Sequence, residues 1–264
     1  MNDGRITRLA PAQPDTRPSL CIVTLCKDDS TGLLLTLRSA QRLREVYPIR
    51  HIVLDGSTGL FRDEAKSIAD KFPEIALHWS EPKGTADAIN RALAMVSEPW
   101  VWFLNSGDVL VDDFDLVLLT EMLAKTAAKV VTYSIIDGNG DPSRRPALPF
   151  LWPPVFTWLC IPATIFRADE LRNIGGLDLK FKLANDGEMW FRLLGQRSVT
   201  LDIISVPMVR MAPEGLSGDR RNVAIEALAF LKKHRFLILK RWIQSGLRYF
   251  EAKRKYRRRL KSDK

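Results

Sequence analysis

Short apolar runs alternate with amphipathic stretches along the first 105 residues of the chain. The runs typical of β-strands lie at residues 19–25, 50–57, 75–81 and 100–105. The stretches with helical spacing lie between them, at residues 32–45, 61–72 and 85–96. Strands that alternate with helices of this length predict right-handed βαβ units, and therefore an α/β fold with a mostly parallel central sheet and flanking helices.

An acidic residue follows or ends each of these four predicted strands. The four residues are Asp28, Asp55, Glu81 and Asp108. The carboxyl ends of parallel strands lie at one edge of a sheet, and that edge is where open α/β sheets bind ligands. Each residue alone also fits a simple turn, because Asp is common in turns. Four in succession predict one wall of a polar cleft.

Composition limits the remaining classes of protein. A chain of 264 residues with 46% hydrophobic content can bury the core of one large or two small domains. The three irregularly spaced cysteines predict neither a disulfide framework nor a zinc site, and favour a reducing compartment. No apolar run approaches the roughly 20 residues that span a bilayer, and residues 1–18 lack the apolar stretch of a signal peptide. We therefore expect a cytoplasmic protein.

The net charge of +9 is confined to one part of the chain. Residues 232–264 contain fourteen Lys or Arg and two Asp or Glu, so the rest of the chain has a net charge of −3. A basic segment of this kind is typical of tails that contact an anionic surface. The acidic remainder shows no aromatic-basic RNA motif, so we expect no nucleic acid as a partner.

These features predict three segments. Residues 1–18, rich in Pro and polar side chains, form a flexible N-terminal arm, residues 19–231 form the globular domain, and residues 232–264 form the basic C-terminal tail. The tail has apolar positions on one helical face and basic positions on another, which predicts an amphipathic helix. Such a helix can attach to an anionic leaflet or dock on the domain. We favour peripheral attachment to the inner face of the cell membrane.

Five sequence blocks resemble, in order and spacing, the family 2 glycosyltransferases. They are CIVTLCKDD, HIVLDGST, DAINRAL, WFLNSGDVL and GGLDLKFKLANDGEMWFRLL, within residues 19–217. The resemblance looks closest to bacterial members that build capsule, exopolysaccharide or lipopolysaccharide. It implies a GT-A fold, a nucleotide-sugar donor, a divalent metal, a glycan or lipid-linked acceptor, and inversion at the anomeric carbon.

The resemblance assigns five residues to the nucleotide. Asp55 matches the carboxylate that accepts a hydrogen bond from the donor's base, typically uracil, which implies a UDP-sugar. Leu25, Cys26 and Asp28 match the loop that borders the base. Asp87 matches a further acidic position near the nucleotide, although the helix dipole explains a carboxylate in the first turn of a helix equally well.

The family's Asp-x-Asp region has the form NSGD in this chain. The resemblance assigns Asn105, Ser106 and Gly107 to the donor and Asp108 to the metal. Mn²⁺ or Mg²⁺ bound there would neutralise the diphosphate leaving group. Because Asp108 is the only acidic ligand left in this motif, phosphate oxygens and water would complete the coordination. We therefore expect weak metal affinity in the absence of donor.

The block NDGEMWFRLL is similar to the segment that supplies the family's catalytic base, usually as Glu-Asp or Ala-Asp-Tyr-Asp. Asp186 is the first candidate for this base and Glu188 the second. A base that takes the proton of the acceptor hydroxyl contributes roughly 10²–10⁴-fold to the rate. Asp186 could instead cap the helix that follows it. We favour the base.

Three further stretches leave alternatives open. Related bacterial enzymes often have Cys-His-Gln-Ala where residues 160–163 read CIPA, so their sugar preference does not carry over. The apolar residues 149–162 fit an acceptor platform as well as they fit core packing. Residues 206–222 match a flexible loop that closes on the donor in relatives. Its Arg220 and Arg221 suit a diphosphate, although we favour an ordinary surface loop.

Three classes of function are therefore compared. We favour a metal-dependent inverting glycosyltransferase that moves a hexosyl or N-acetylhexosaminyl group. A sugar-phosphate nucleotidyltransferase would need a Gly-rich basic loop after the first strand, where this chain has TLCKDDSTG. A non-enzymatic nucleotide-sugar-binding or RNA-binding protein would rely on the basic tail, which the acidic globular part disfavours.

Overall fold

The computed structural model describes residues 20–138, 140, 142–143, 159–196, 198–213, 225–226 and 228–236. Several features of the sequence lie outside these residues. They are the predicted N-terminal arm, most of the apolar stretch 149–162, both Arg220 and Arg221, and the tail after Phe236.

The strands of the described residues form one nine-stranded sheet. They are β1 (Leu20–Cys26), β2 (Ile49–Asp55), β3 (Ile75–Trp79), β4 (Trp100–Phe103), β5 (Val109–Leu110), β6 (Val130–Ile136), β7 (Pro142–Ser143), β8 (Thr164–Arg167) and β9 (Leu201–Arg210). Their order is β3-β2-β1-β4-β8-β6-β9-β5, and β7 pairs with β6. The first four strands in this order are parallel, as are β6 and β9, whereas β8 runs antiparallel to both of its neighbours. The predicted α/β fold with a mostly parallel sheet is confirmed.

Helices connect the strands and flank the sheet. They are α1 (Ser30–Ser39), α2 (Gln41–Val46), α3 (Gly59–Ala69), α4 (Thr85–Met95), α5 (Leu116–Lys125), α6 (Ala168–Asn173) and α7 (Asn185–Leu193), with a 3-10 turn at Ile161–Ala163. Residues 225–226 and 228–236 are also helical, and we call them the docked helix. No helix in the described part of the chain combines the length and hydropathy needed to cross a bilayer.

Two of the predicted elements differ from the structure. The predicted helix at residues 32–45 is two helices, which meet at Ala40, where the backbone N–H is shared between the carbonyls of Thr36 and Arg38. The predicted loop at residues 206–222 is wrong for its first five residues. They belong to β9, which pairs with β6 and β5 and buries Met208 and Val209.

Burial on both faces of β1 fixes the sheet between its helices. Alternate residues of a strand point to opposite faces. Cys21 and Val23 pack in the cluster that contains the apolar face of α4, whereas Leu20 and Ile22 pack with the apolar face of α5. Full burial of each large apolar side chain stabilises the fold by about 1.5–3 kcal/mol. The loops after β1, β2 and β4 are thereby held at one edge of the sheet.

Candidate active site

Side-chain hydrogen bonds hold the loops after β1 and β2 together. The backbone N–H of Asp28 donates to Ser57 Oγ at 2.8 Å, and Asp28 Oδ1 accepts from the N–H of Thr58 at 3.0 Å. Asp55 ends β2 opposite Cys26, is buried, and its Oδ1 accepts from the N–H of Ser57 at 2.9 Å. The two carboxylates predicted to face the nucleotide therefore lie in one hydrogen-bonded unit.

Cys26 and Leu25 contribute to this unit in different ways. The Cys26 thiol is buried beneath α1 and α3, and burial raises its pKa to about 11, so the thiol stays neutral. The carbonyl of Leu25 accepts a hydrogen bond from the N–H of Ser106 at 3.0 Å. Cys26 thus packs the core next to the loop, whereas Leu25 joins the end of β1 to the NSGD turn.

The NSGD turn after β4 is held by Asp29, the N-cap of α1, and by Thr36 in the later part of α1. The Thr36 hydroxyl donates to the carbonyl of Asp108 at 2.7 Å and accepts from the N–H of Gly107 at 3.0 Å. The Ser106 hydroxyl donates to Asp29 Oδ2 at 2.6 Å. These bonds link the ends of β1 and β4, which are neighbours in the sheet.

Gly107 and Asp108 both face Ala212, just beyond the end of β9. Gly107 has a φ of 88°, and a Cβ atom there would lie 3.0 Å from the Ala212 Cβ, so the position favours glycine. Asp108 Oδ1 accepts from the N–H of Ala212 at 3.0 Å. Burial raises the pKa of Asp108 to about 6, which shows that its negative charge is poorly compensated.

The other two acidic candidates near this edge have cationic partners. Asp87 lies in the first turn of α4 and pairs at 2.7 Å with Arg91, which also donates to Ser80 Oγ at 2.7 Å. Glu81 is exposed and lies 3.5 Å from the ammonium group of Lys83. Asp87 therefore has a structural ion pair on α4 that does not depend on a nucleotide.

Asp186 is the second residue of α7 and not its N-cap. The N-cap is Ala184, whose side chain makes no capping hydrogen bond. Asp186 Oδ1 accepts from the N–H of the next residue, Gly187, at 2.7 Å. The amides that precede α7, those of residues 182–184, donate instead to the carboxylate of Glu226 at 2.8–3.1 Å. Asp186 is therefore not the N-cap of α7, although its carboxylate satisfies one amide of the first turn, that of Gly187.

Glu188, the second candidate base, is buried among cationic groups. Its carboxylate accepts hydrogen bonds from Arg192 at 2.8 Å, from Lys233 Nζ at 2.9 Å and from His234 Nε2 at 2.9 Å. Although burial raises the pKa of Glu188, the hydrogen bonds from Arg192, Lys233 and His234 hold it below its usual value. A carboxylate with these partners is a poor proton acceptor, so the geometry gives Glu188 a structural role.

Asn90 joins two of the sequence blocks, DAINRAL and GGLDLKF. Its Oδ1 accepts from the N–H of Leu177 and its Nδ2 donates to the Leu177 carbonyl, both at 2.8 Å. Gly176 has a φ of 69°, and a Cβ there would lie 2.2 Å from Asn90 Oδ1. The close packing of α4 against this loop therefore requires both residues.

The sequence of residues 21–174 matches the model of the family described as Glycosyl transferase family 2. This match spans more than half of the chain. The chain belongs to glycosyl transferase family 2. It is thus an enzyme that transfers glycosyl groups. Two family relatives are the uncharacterized glycosyltransferases Rv1514c and MT1564 of two Mycobacterium tuberculosis strains. Each is 28% identical over 181 residues, which cover 66% of this chain and 68% of the relative.

Solved structures share the family 2 fold with this chain. S. aureus TarS superposes with a TM-score of 0.60 at 14% identity over 86% of this chain, which spans only 43% of the TarS chain. TarS 1-349 in complex with UDP-GlcNAc has a TM-score of 0.58 at 15% identity, covering 75% of this chain and 59% of that one. The mannosyltransferase PcManGT of Pyrobaculum calidifontis, in complex with GDP-Man and Mn²⁺, has a TM-score of 0.56 at 14% identity, covering 80% and 62%.

Two observations at the family 2 NSGD turn fit a divalent metal. Asp108 holds a buried carboxylate whose pKa is raised, and a bound cation would offset that cost. Asn105 Oδ1 is buried and has no hydrogen-bond partner among the described residues. Carboxylate and amide oxygens are ligands that hard cations prefer. Within the described ranges no group of three or more His, Cys, Asp and Glu is arranged for a metal, so protein ligands would be few.

Sequence reasoning missed several residues that build this family 2 site. Asp29 and Thr36 hold the NSGD turn, and Asp29 also caps α1 by accepting from the N–H of Gly32 at 2.9 Å. An Asp directly before a predicted helix is a capping signal that could have identified it. Glu226 carries no such signal, because its partners at residues 182–184 lie more than 40 positions away.

Proposed function

We propose that this chain is a metal-dependent, inverting glycosyltransferase that uses a UDP-sugar. It moves a hexosyl or N-acetylhexosaminyl group to a glycan or lipid-linked acceptor in cell-surface polysaccharide synthesis. The observation that carries the proposal is the convergence of Asp28, Asp55 and Asp108. They lie at or just beyond the carboxyl ends of β1, β2 and β4, which are neighbours in the sheet.

The nucleotide of the donor is expected over the ends of β1 and β2. The N–H of Ser57 donates to Asp55 Oδ1, and Asp28 forms hydrogen bonds with both Ser57 and Thr58. The Asp55 carboxylate therefore has a fixed orientation. A fixed carboxylate suits the N–H of a pyrimidine base, because it accepts and does not donate. The solved relatives of this fold bind UDP-GlcNAc, UDP or GDP-Man. The choice of UDP therefore rests on Asp55.

Asp108 and Asn105 are the residues that would hold Mn²⁺ or Mg²⁺. When bound, the cation neutralises the charge that develops on the diphosphate leaving group. The chain's own part is to hold the two oxygen ligands at the end of β4. The Thr36 hydroxyl fixes the turn, and the N–H of Ala212 fixes one oxygen of the carboxylate.

Asp186 is the base in this proposal. As the acceptor oxygen attacks the anomeric carbon, Asp186 takes the hydroxyl proton, and the bond from the anomeric carbon to the donor phosphate breaks on the opposite face. The configuration at that carbon is thereby inverted. Glu188 accepts hydrogen bonds from Arg192, Lys233 and His234, which make it a poor proton acceptor, so the proposal assigns the base to Asp186.

The anionic membrane surface remains a proposed partner for the later part of the tail. Lys233 and His234, at the start of the predicted tail, hydrogen-bond Glu188 of α7, which supports docking, the alternative to membrane attachment, for this short part. The basic residues after 236 carry most of the tail's charge and are the part that would reach an anionic leaflet.

A panel of UDP-sugars and GDP-sugars tests the proposed function. Thermal unfolding and slow donor hydrolysis are measured with and without Mn²⁺, because a ligand that binds the folded chain raises its apparent stability. We expect a metal-dependent response to at least one UDP-sugar. A response to GDP-sugars alone contradicts the assignment of Asp55, and no response to any nucleotide sugar contradicts the proposal as a whole.

A further inference from the structure

We infer that the docked helix holds the proposed catalytic segment in place, with Glu226 as a positioning residue for Asp186. The inference rests on the proposed function, in which Asp186 is the base. Three independent sets of contacts between the docked helix and residues 178–192 support it.

The first set is the binding of backbone amides by Glu226. Three consecutive N–H groups, those of Lys182, Leu183 and Ala184, donate to its carboxylate at distances of 2.8–3.1 Å. Although burial raises the pKa of Glu226, these hydrogen bonds hold it below its usual value, so the carboxylate is charged when it binds them. Glu226 thus binds, from another element, the N–H of the N-cap residue Ala184 and of the two residues before it, none of which has a partner within α7.

The second set lies on the other side of Asp186. Lys233 Nζ binds both Glu188, at 2.9 Å, and Asp178, while His234 binds Glu188 at 2.9 Å. Glu188 is 1% exposed, so its carboxylate is shielded from solvent, whereas the Lys233 side chain is 40% exposed. Asp186 therefore lies between two anchored points of the backbone.

The third set is apolar and fixes where the docked helix lies. Phe230 packs edge-on against Phe191 of α7, with ring centroids 5.1 Å apart, and both residues are buried with Phe181. The ring of His234 lies 5.0 Å from that of Phe191. This packing brings Glu226 to residues 182–184, and Lys233 to Asp178 and Glu188 on either side of them.

The position of a catalytic base controls the rate more than it controls donor binding. A misplacement of about 1 Å can lower the rate by roughly 10²-fold. The first turn of a helix without a cap frays readily, since its first N–H groups have no partner within the helix. Loss of Glu226 should therefore release the backbone at residues 182–184 and displace Asp186, while the nucleotide loops after β1 and β2 stay intact.

Glu226→Ala and Glu226→Gln test this inference in the full chain. Gln keeps one acceptor oxygen and should retain part of the activity. Glu121→Ala, which removes a carboxylate from an exposed ion pair with Lys125, is the matched control. Turnover, the KM for the donor and amide hydrogen exchange in residues 178–188 are measured for each variant.

We expect Glu226→Ala to lower kcat by at least about tenfold, with the donor KM within about twofold of wild type. Amides of residues 182–184 should exchange faster, and those of β1 and β2 should not. Glu226→Gln should lie between Ala and wild type, and Glu121→Ala should match wild type. If Glu226→Ala does not fold, the kcat, donor KM and amide exchange of Glu226→Gln test the inference instead.

If wild type is active and Glu226→Ala has the same kcat, the inference is wrong, but the proposed function is not contradicted. A higher kcat also overturns it, because Glu226 would then obstruct the site and not position the base. Faster exchange spread over the whole domain would show a general loss of stability and count against a positioning role. A wild-type chain that transfers no sugar from any donor contradicts the proposed function itself.

Discussion

The carboxylate of Asp108 accepts a hydrogen bond at 3.0 Å from the backbone N–H of Ala212, 104 residues further along the chain. This bond joins the NSGD turn, inside the stretch that matches the family, to a residue beyond the end of β9, outside that stretch. Because burial raises the pKa of Asp108 to about 6, the fold keeps a carboxylate here at a cost in stability. Such a cost is typical of functional sites.

The first prediction concerns stability and activity of Asp108→Asn. The pKa of Asp108 is about 6 in the folded chain, against an ordinary value of 3.8. Between pH 3.8 and pH 6 the folded chain therefore binds a proton that the unfolded chain has largely released. Its stability therefore falls as pH rises from 3.8 to 6, and the full penalty is present above 6. Asp108→Asn should raise the free energy of unfolding of metal-free protein at about pH 8 by roughly 1–3 kcal/mol and abolish metal-dependent transfer. Urea unfolding and a transfer assay check this. Transfer at the wild-type rate would show that Asp108 is not a metal ligand.

A second prediction explains why the position before Asp108 is a glycine. The added Cβ of Gly107→Asp would lie 3.0 Å from the Ala212 Cβ, in a left-handed backbone conformation, so this variant should lose about 1–3 kcal/mol of stability. Adding Ala212→Gly should recover part of that loss and strengthen Mn²⁺ binding without donor. Calorimetry with Mn²⁺ and urea unfolding measure both effects, with Ala212→Gly alone as the control. Equal stability of the single and double variants would refute the steric explanation.

The third prediction separates catalysis from folding at Asp186. Since Ala184 is the N-cap, Asp186→Asn and Asp186→Ala should each change the free energy of unfolding by less than about 1 kcal/mol. Asp186→Asn should lower kcat by roughly 10²-fold or more, because an amide does not accept the proton. Stabilisation by donor and Mn²⁺ should stay near normal. Undiminished turnover at saturating donor would remove the base from this position.

The fourth prediction is that substitution of Glu188, unlike that of Asp186, lowers stability strongly. Glu188→Gln leaves Arg192 without a counter-charge and Lys233 with Asp178 alone, and should lower the free energy of unfolding by roughly 3 kcal/mol. The pKa of Glu188 is lowered in the fold, so its contribution is present above the ordinary value of 4.5 and is lost as pH falls further. The difference between variant and wild type should therefore shrink in acid, as urea unfolding at several pH values would show. A variant of normal stability that has lost turnover would make Glu188 the base.

The fifth prediction is acid sensitivity caused by His51. This side chain is fully buried between Thr24 and Arg44, at 2.9 Å and 3.1 Å, and burial together with the charge of Arg44 lowers its pKa to about 3. A histidine with a lowered pKa contributes fully above its ordinary value of 6.5, and stability is lost as pH falls from 6.5 towards 3. Wild type should lose about 2 kcal/mol from this group between about pH 6.5 and 5, and His51→Gln should not. Equal acid sensitivity of the two proteins would assign the loss to other groups.

Local sequence patterns predicted the elements around the site well. The predicted strands that became β1 to β4, and the predicted helices that became α3 and α4, agree with the structure to within a few residues. Apolar periodicity records which face of an element is buried, and burial drives the folding of each element onto the sheet. Parallel order then placed Asp28, Asp55 and Asp108 at one edge. The five blocks also identified the family, which the match over residues 21–174 confirms.

Contacts between distant residues were decided by the tertiary structure alone. Periodicity contains no information on which remote group will meet a given side chain, so the contact of Asp108 with Ala212 had no local signal. For the same reason, the sequence ranked Asp186 before Glu188 but could not show which groups each side chain would contact. Asp186 and Glu188 lie two positions apart on one helix, and the docked helix places Lys233 and His234 on Glu188.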